Sequence, residues 1–168
     1  MLLRRVISSS WRPGRAAAAG LAATAAYSVA MEGDMAIVGN RFNDVRFIEG
    51  LLPGVPDKAR SWLAWAIHLL NGVMLGELYA AIFKRLLPGP NWVKGAIFGE
   101  LFIILAWPLT PLADRHHPMI KSGELPELAN WTSFFQNIGR HLVFGMALGL
   151  IYRDQSASVR ATSRGGRR

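Results

Sequence analysis

The stretch WLAWAIHLLNGVMLGELYAAIF, residues 62–83, decides the fold class. It contains one Glu and no Lys or Arg, and it is long enough to cross a bilayer core, which needs roughly 20 helical residues. Trp62 and Trp65 stand at its start, where aromatic rings favour the membrane interface, and Lys84 and Arg85 follow its end. The stretch therefore predicts a transmembrane helix.

Three other apolar segments have similar length. The first is rich in alanine, and its small side chains suit close packing against other helices better than contact with lipid. Aromatic residues lie at most boundaries of the other two. We expect an all-α integral membrane fold, a bundle of four transmembrane helices over residues 16–153. The spans are residues 16–38, 62–83, 93–110 and 132–152, between basic tails at 1–15 and 154–168, the second of them disordered.

The basic residues are distributed unequally around these segments. Twelve lie in the two tails and in the loop between the second and third segments, whereas six lie on the opposite side, where six acidic residues balance them. The positive-inside rule then places both termini in the cytoplasm and the protein in the inner membrane. The Arg- and Ser-rich N-terminus also fits a mitochondrial transit peptide, which is the alternative interpretation.

Composition argues against several classes of function. The net charge of +8 comes mostly from short stretches between apolar runs, so it does not predict nucleic-acid binding. The chain has no cysteine, which excludes disulfides and thiolate metal sites. It also has no Ser/His/Asp motif, phosphate loop or HExxH motif. We therefore expect a protein that is not an enzyme.

An internal repeat relates the second and fourth segments. The pattern His-Leu-x-x-Gly-x-x-Leu-Gly-x-x-Tyr occurs at residues 68–79 and again at 141–152, an offset of 73 without gaps. The same offset aligns Gly95 and Gly99 with Ala22 and Ala26. The repeat predicts two helical hairpins related by a pseudo-twofold axis along the membrane normal. Close helix packing is expected at the glycines of this pattern, Gly72, Gly76, Gly95, Gly99, Gly145 and Gly149.

Ionisable residues within the apolar segments form a predicted polar seam, because charges at this depth are costly and usually face the bundle interior. Its members are Glu32, Asp34, His68, Glu77, Glu100, Arg140 and His141. In the structural interpretation, Arg140 pairs with Glu32 or Asp34 and the seam holds the helices together.

Two alternatives use the same residues. Glu77 and Glu100 would share a proton or hold a cation if they face each other, which would suit a proton- or cation-linked transporter or channel. His68 and His141, at similar depth, could ligate a haem or another tetrapyrrole. The favoured interpretation has no cofactor.

Between the segments, two stretches are informative. Residues 114–118, DRHHP, contain ligand-type side chains, but adjacent histidines do not converge easily on one ion, so we predict no metal site. Residues 42–62 are apolar enough to form a short helix that caps the bundle at the outer interface.

The order of features from HLLNGVMLGELYA through NWVKGAIFGELF and WPLTPLADRHHP to GRHLVFGMALGLIYRD resembles the YagU-like family over residues 62–153. These are small four-helix bacterial inner-membrane proteins without an established activity. The resemblance implies the fold and the membrane, and it carries no catalytic residues. The expected partners are the lipid bilayer and a second copy of the chain or a larger membrane complex.

Overall fold

The computed structural model describes residues 11–153, which form helices and connecting turns without a strand. The predicted tails lie largely or wholly outside the described residues. The helices are α1 (Pro13–Val38), α2 (Asp44–Gly50), α3 (Asp57–Leu78), α4 (Asn91–Ala106), α5 (Thr110–His116), α6 (Pro118–Lys121) and α7 (Trp131–Ile151). Each of the four predicted apolar segments coincides with a long helix.

Two of these helices continue beyond their regular part. After α3 the chain makes a π-helical turn, Tyr79–Phe83, and one more α-helical turn, Lys84–Leu86. After α4 a 3-10 turn, Trp107–Leu109, leads directly into α5. The regular helix α4 thus ends at Ala106, near the end of the predicted segment 93–110. Pro108 and Pro111 stand in the first turns of the new helical segments, where a proline ring displaces no hydrogen bond.

The long helices pack in the order α3, α1, α7, α4. Helix α1 packs against α3 on one side and α7 on the other, and α4 packs along α7. The inner helices α1 and α7 bury eight residues each, whereas the regular parts of α3 and α4 bury four each. Helices α3 and α4, which follow each other in the sequence, are therefore the two outer helices, and α4 contacts the continuation of α3 at residues 79–86.

Glycine allows the close approach of helices in both halves. A Cβ on Gly72 would meet the side chain of Thr24 and the carbonyl of Gly20, and a Cβ on Gly145 would meet the carbonyl of Gly95. All six glycines of the predicted packing pattern lie at such contacts with another helix. On α1, however, the contacting small residues are Ala16, Gly20 and Thr24, and Ala22 is exposed. An alanine-rich helix offers several small faces, so the offset of 73 did not select the right one.

The helix termini meet at one end of the molecule, which we call the basic end. The hydroxyl of Tyr152 accepts from the backbone N–H of Arg12 at 3.1 Å, and its backbone carbonyl accepts from Nζ of Lys84 at 2.9 Å. The hydroxyl of Tyr79 donates to the carbonyl of Asn91 at 3.3 Å. The start of α1, the end of α3, the start of α4 and the end of α7 are thereby joined.

The opposite end carries a cap with its own small core, formed by Phe42, Ile120, Leu125 and Leu128. Helix α2 is the predicted short helix after the first apolar segment. It begins after Asn43, whose side chain accepts from the backbone N–H groups of Val45 and Arg46 at 2.9 and 3.1 Å.

Two helical stretches in the described part are long and apolar enough to cross a membrane. They are Asp57–Leu86, with 30 residues, and Asn91–His116, with 26. In their most apolar windows of 18 residues, 28% and 17% of residues are buried, so most residues of these windows are exposed or only partly covered.

Candidate functional site

The structure separates the members of the predicted seam: Asp34 belongs to an ion-pair cluster around Arg140, both histidines line one cavity, and three glutamates lie apart from these two sites. The ion-pair cluster lies between the end of α1 and the middle of α7. The side chain of Arg140 is entirely buried, although it is a guanidinium on an apolar helix. A buried charge of this kind needs a paired and hydrogen-bonded partner.

Asp34 provides that partner through both of its carboxylate oxygens. Nε of Arg140 donates to Oδ2 at 2.5 Å and Nη2 donates to Oδ1 at 2.6 Å, a bidentate arrangement. Nη1 donates to the carbonyl of Phe42 at 3.0 Å. Of the two predicted partners, the structure selects Asp34. Glu32 instead accepts from the side chain of Asn43 at 3.3 Å, in an exposed position.

A second carboxylate in this cluster, Asp44, was missed in the sequence. Its Oδ2 accepts from the hydroxyl of Tyr27 at 2.8 Å and lies 3.5 Å from Nη1 of Arg140. Asp44 is the first residue of α2, and acidic residues are common there in any helix. The sequence therefore gave no indication that this carboxylate folds back against Arg140.

Amide side chains extend the cluster along α7. Nε2 of Gln136 donates to Oδ1 of Asp34 at 2.8 Å and to the carbonyl of Asn40 at 3.1 Å. Nδ2 of Asn40 donates to the hydroxyl of Ser133 at 2.8 Å. These hydrogen bonds connect the segment after α1 to the start of α7. The cluster therefore joins α1, the segment that follows it, and α7.

His68 on α3 and His141 on α7 line one cavity of about 350 Å³. The ring of Tyr27, on α1, contacts both imidazoles, with centroid distances of 5.8 Å to His68 and 5.2 Å to His141. Phe102 of α4 stacks on His141 at 5.7 Å. The sequence pattern predicted that the histidines lie at similar depth, and the structure places both on this cavity with Tyr27 in contact with each.

In the neutral form of each histidine, its hydrogen bonds determine which ring nitrogen carries the proton. The hydroxyl of Ser28 donates its single proton to the carbonyl of Thr24 at 2.9 Å. The same oxygen therefore accepts from Nε2 of His68 at 3.1 Å. Nδ1 of His141 donates to the carbonyl of Asn137 at 2.9 Å. Nδ1 of His68 and Nε2 of His141 are then acceptors, and neither has a hydrogen-bond partner within residues 11–153.

Glu77 and Glu100 do not form the predicted pair. Oε2 of Glu77 accepts from the indole N–H of Trp11 at 2.7 Å. Helix α4, which carries Glu100, packs along α7. It contacts the continuation of α3, at the turn Tyr79–Phe83 and the final turn Lys84–Leu86. Oε1 of Glu100 is buried and has no hydrogen-bond partner among the described residues.

The profile of a family of unknown function, DUF6789, matches residues 12–162. The chain belongs to the DUF6789 family. No curated protein and no solved structure matches the chain. The DUF6789 match covers the ion-pair cluster, the histidine cavity and both glutamates. It is consistent with the expectation of an uncharacterised family, and it does not name the YagU-like proteins.

The DRHHP stretch of this DUF6789 chain, residues 114–118, belongs to the cap. Both oxygens of Asp114 accept backbone N–H bonds, from Leu128 at 2.7 Å and Ala129 at 2.8 Å. Nε2 of His117 bonds the carbonyl of Phe47 at 2.8 Å, and the two rings stack at 4.1 Å. Within residues 11–153 no group of three His, Cys, Asp or Glu side chains is placed to hold a metal ion.

Proposed function

We propose that this DUF6789 chain is a non-enzymatic, multi-pass inner-membrane protein whose polar interior holds four transmembrane helices together. The observation that carries the proposal is the bidentate ion pair between Arg140 and Asp34. Both oxygens and two of the guanidinium nitrogens are used in this contact, and Nη1 has its own acceptor. A charge so fully paired is suited to fixing the position of helices.

The packing order supports four spans, although two helices pass the length and composition test. The inner helices α1 and α7 carry the buried polar residues, such as Thr24, Ser28, Gln136 and Arg140. Because these side chains face other helices, they do not have to be apolar to lie within a bilayer. The outer helices α3 and α4 expose large apolar residues, including Leu70, Met74, Ile104 and Leu105, as lipid contact requires.

The charge at the helix termini supports the orientation. The basic end of the described structure carries Arg12, Arg15, Lys84, Arg85, Lys94 and Arg153. The opposite end mixes basic residues with acidic ones. The positive-inside rule then assigns the basic end, with both termini, to the cytoplasm.

The two-hairpin arrangement is supported by residue pairs of the repeat. Tyr79 and Tyr152, equivalent positions, contact each other with ring centroids 6.5 Å apart. His68 and His141 line the same cavity. The crossing of Gly72 on Gly20 has its counterpart in the crossing of Gly145 on Gly95. A pseudo-twofold axis that exchanges α1 with α4 and α3 with α7 would relate these pairs.

Single-cysteine labelling tests the proposal directly, because the native chain contains no cysteine. Ser122 and Pro88 are exposed at opposite ends of the helices. In intact cells, a membrane-impermeant maleimide should label the Ser122→Cys variant. It should label the Pro88→Cys variant only after the cells have been lysed. Equal labelling of both variants in intact cells, or recovery of the chain in the soluble fraction, would overturn the topology.

A further inference from the structure

We infer that the histidine cavity binds the hydroxylated aromatic ring of a lipid-soluble molecule, of the phenol or hydroquinone type. The cavity, already defined by His68, His141 and Tyr27, lies between the outer helices α3 and α4 with α1 and α7 behind it. Entry from the lipid rests on the membrane placement proposed above. Binding itself depends on the chemistry of the cavity and can be measured separately.

The position of the cavity favours a ligand that arrives from the bilayer. At the basic end, α4 contacts the continuation of α3, at the turn Tyr79–Phe83 and the final turn Lys84–Leu86, so the two helices meet there. At the other end Phe47 and Ile48 of α2 line the cavity. On α3, Asn71 both lines the cavity and is exposed, so the cavity reaches the side of the molecule at this helix. In a four-span protein that side faces lipid.

The walls favour a flat apolar ring. Phe102, Trp107 and Phe144 line the cavity together with Leu75 and Ile103. Aromatic side chains pack favourably against another ring in stacked or edge-to-face geometry. The volume, about 350 Å³, is at the lower end of the roughly 300–1,000 Å³ typical of small-molecule sites. One substituted ring fits this space, and a long alkyl chain would extend into the bilayer.

The hydrogen-bonding groups select the ring's substituents. Nδ1 of His68 and Nε2 of His141 are both acceptors without a partner in the described residues, so they require donors on the ligand. A hydroxyl provides such a donor, whereas a carbonyl or a carboxylate does not. An ammonium group is disfavoured because Arg140 lies 3.5 Å from Asp44, the carboxylate that lines the cavity.

Binding of a defined probe tests the inference on the purified full-length chain in detergent. The probe is 2-decyl-1,4-hydroquinone kept reduced with ascorbate, and quenching of tryptophan fluorescence reports its binding, since Trp107 lines the cavity. The matched control is the same molecule with both hydroxyls methylated. We expect saturable binding of the hydroquinone and at least tenfold weaker binding of the dimethyl ether, which has no hydroxyl donor.

Substitutions locate the site. His68→Leu and His141→Leu should each weaken hydroquinone binding at least tenfold, while His116→Leu, at an exposed histidine outside the cavity, should leave it unchanged. Ala106→Phe places a ring in the cavity and should reduce binding of both probes while both histidines remain. If a histidine variant does not fold, the inference is still tested by the comparison of the two probes on the wild-type protein and by the Ala106→Phe variant.

Equal affinity for hydroquinone and ether would overturn the inference, as would unchanged binding in His141→Leu or Ala106→Phe. Absence of saturable binding by the wild-type protein would also overturn it. These results are independent of the maleimide labelling. A chain that shows the expected topology without hydroquinone binding would retain its proposed membrane role and lose this site.

Discussion

Arg140 on α7 holds both carboxylate oxygens of Asp34, near the end of α1, through Nε at 2.5 Å and Nη2 at 2.6 Å. The contact joins residues 106 positions apart in the chain. Buried ion pairs often contribute little net stability compared with apolar residues of similar size, but losing one partner is costly. The pair therefore sets the relative position of the two inner helices.

Removing one partner of this pair should strongly destabilise the protein. Arg140→Leu leaves the Asp34 carboxylate without its main partner, and we expect a loss of about 3–5 kcal/mol in the free energy of unfolding. Asp34→Leu combined with Arg140→Leu should recover part of this loss. Unfolding of the purified protein in detergent with increasing SDS measures both.

The exposed ion pair between Arg46 and Glu124, at 3.9 Å with half-exposed side chains, provides the control. Arg46→Leu should change the unfolding free energy by about 0–1 kcal/mol. Equal effects of Arg140→Leu and Arg46→Leu would contradict the structural role of the buried pair.

Two glycines on α7 should respond oppositely to alanine. In Gly145→Ala the new Cβ meets the backbone carbonyl of Gly95, so α4 must move away and stability should fall by about 1–3 kcal/mol. At Gly139 nothing lies within 4 Å of the new Cβ, and alanine should stabilise the helix by about 0.5–1 kcal/mol. The same unfolding assay compares them, and a similar destabilisation in both variants would argue against the close helix crossing.

We expect that this protein does not conduct protons or potassium ions across a membrane. Glu77 is bonded to Trp11, so the predicted shared proton site with Glu100 is not formed. Proteoliposomes with wild-type protein, Glu77→Gln or Glu100→Gln should show proton and potassium flux equal to that of empty liposomes. Wild-type flux that disappears in either variant would instead favour the transporter or channel.

The protein purified from haem-replete cells should be colourless. Tyr27 contacts both His68 and His141, so a tetrapyrrole between the two imidazoles would have to displace its ring. An absorption spectrum after gentle solubilisation and size exclusion measures this. A Soret band in the wild type that is lost in His68→Ala or His141→Ala would identify a cofactor subunit.

Hydropathy and glycine spacing located much of the fold in advance, because both are local properties. Residues 62–83 had to be helical to satisfy their backbone in an apolar environment, and α3 together with the π-helical turn Tyr79–Phe83 covers them. The glycines of the repeat indicated where helices cross. The packing face of α1 could not be read in the same way, since its alanines are small on several sides and the contact uses Gly20 and Thr24.

The sequence alone thus determined the helices and the need for buried charges to find partners. Tertiary structure decided which partners they found. Arg140 could have paired with Glu32 or Asp34; it pairs with Asp34 and also contacts Asp44, at the start of α2. Glu77 and Glu100 lie on consecutive helices, yet α4 packs along α7 rather than along α3. Partner choice depends on which helix faces which, a long-range packing outcome that spacing along the chain does not encode.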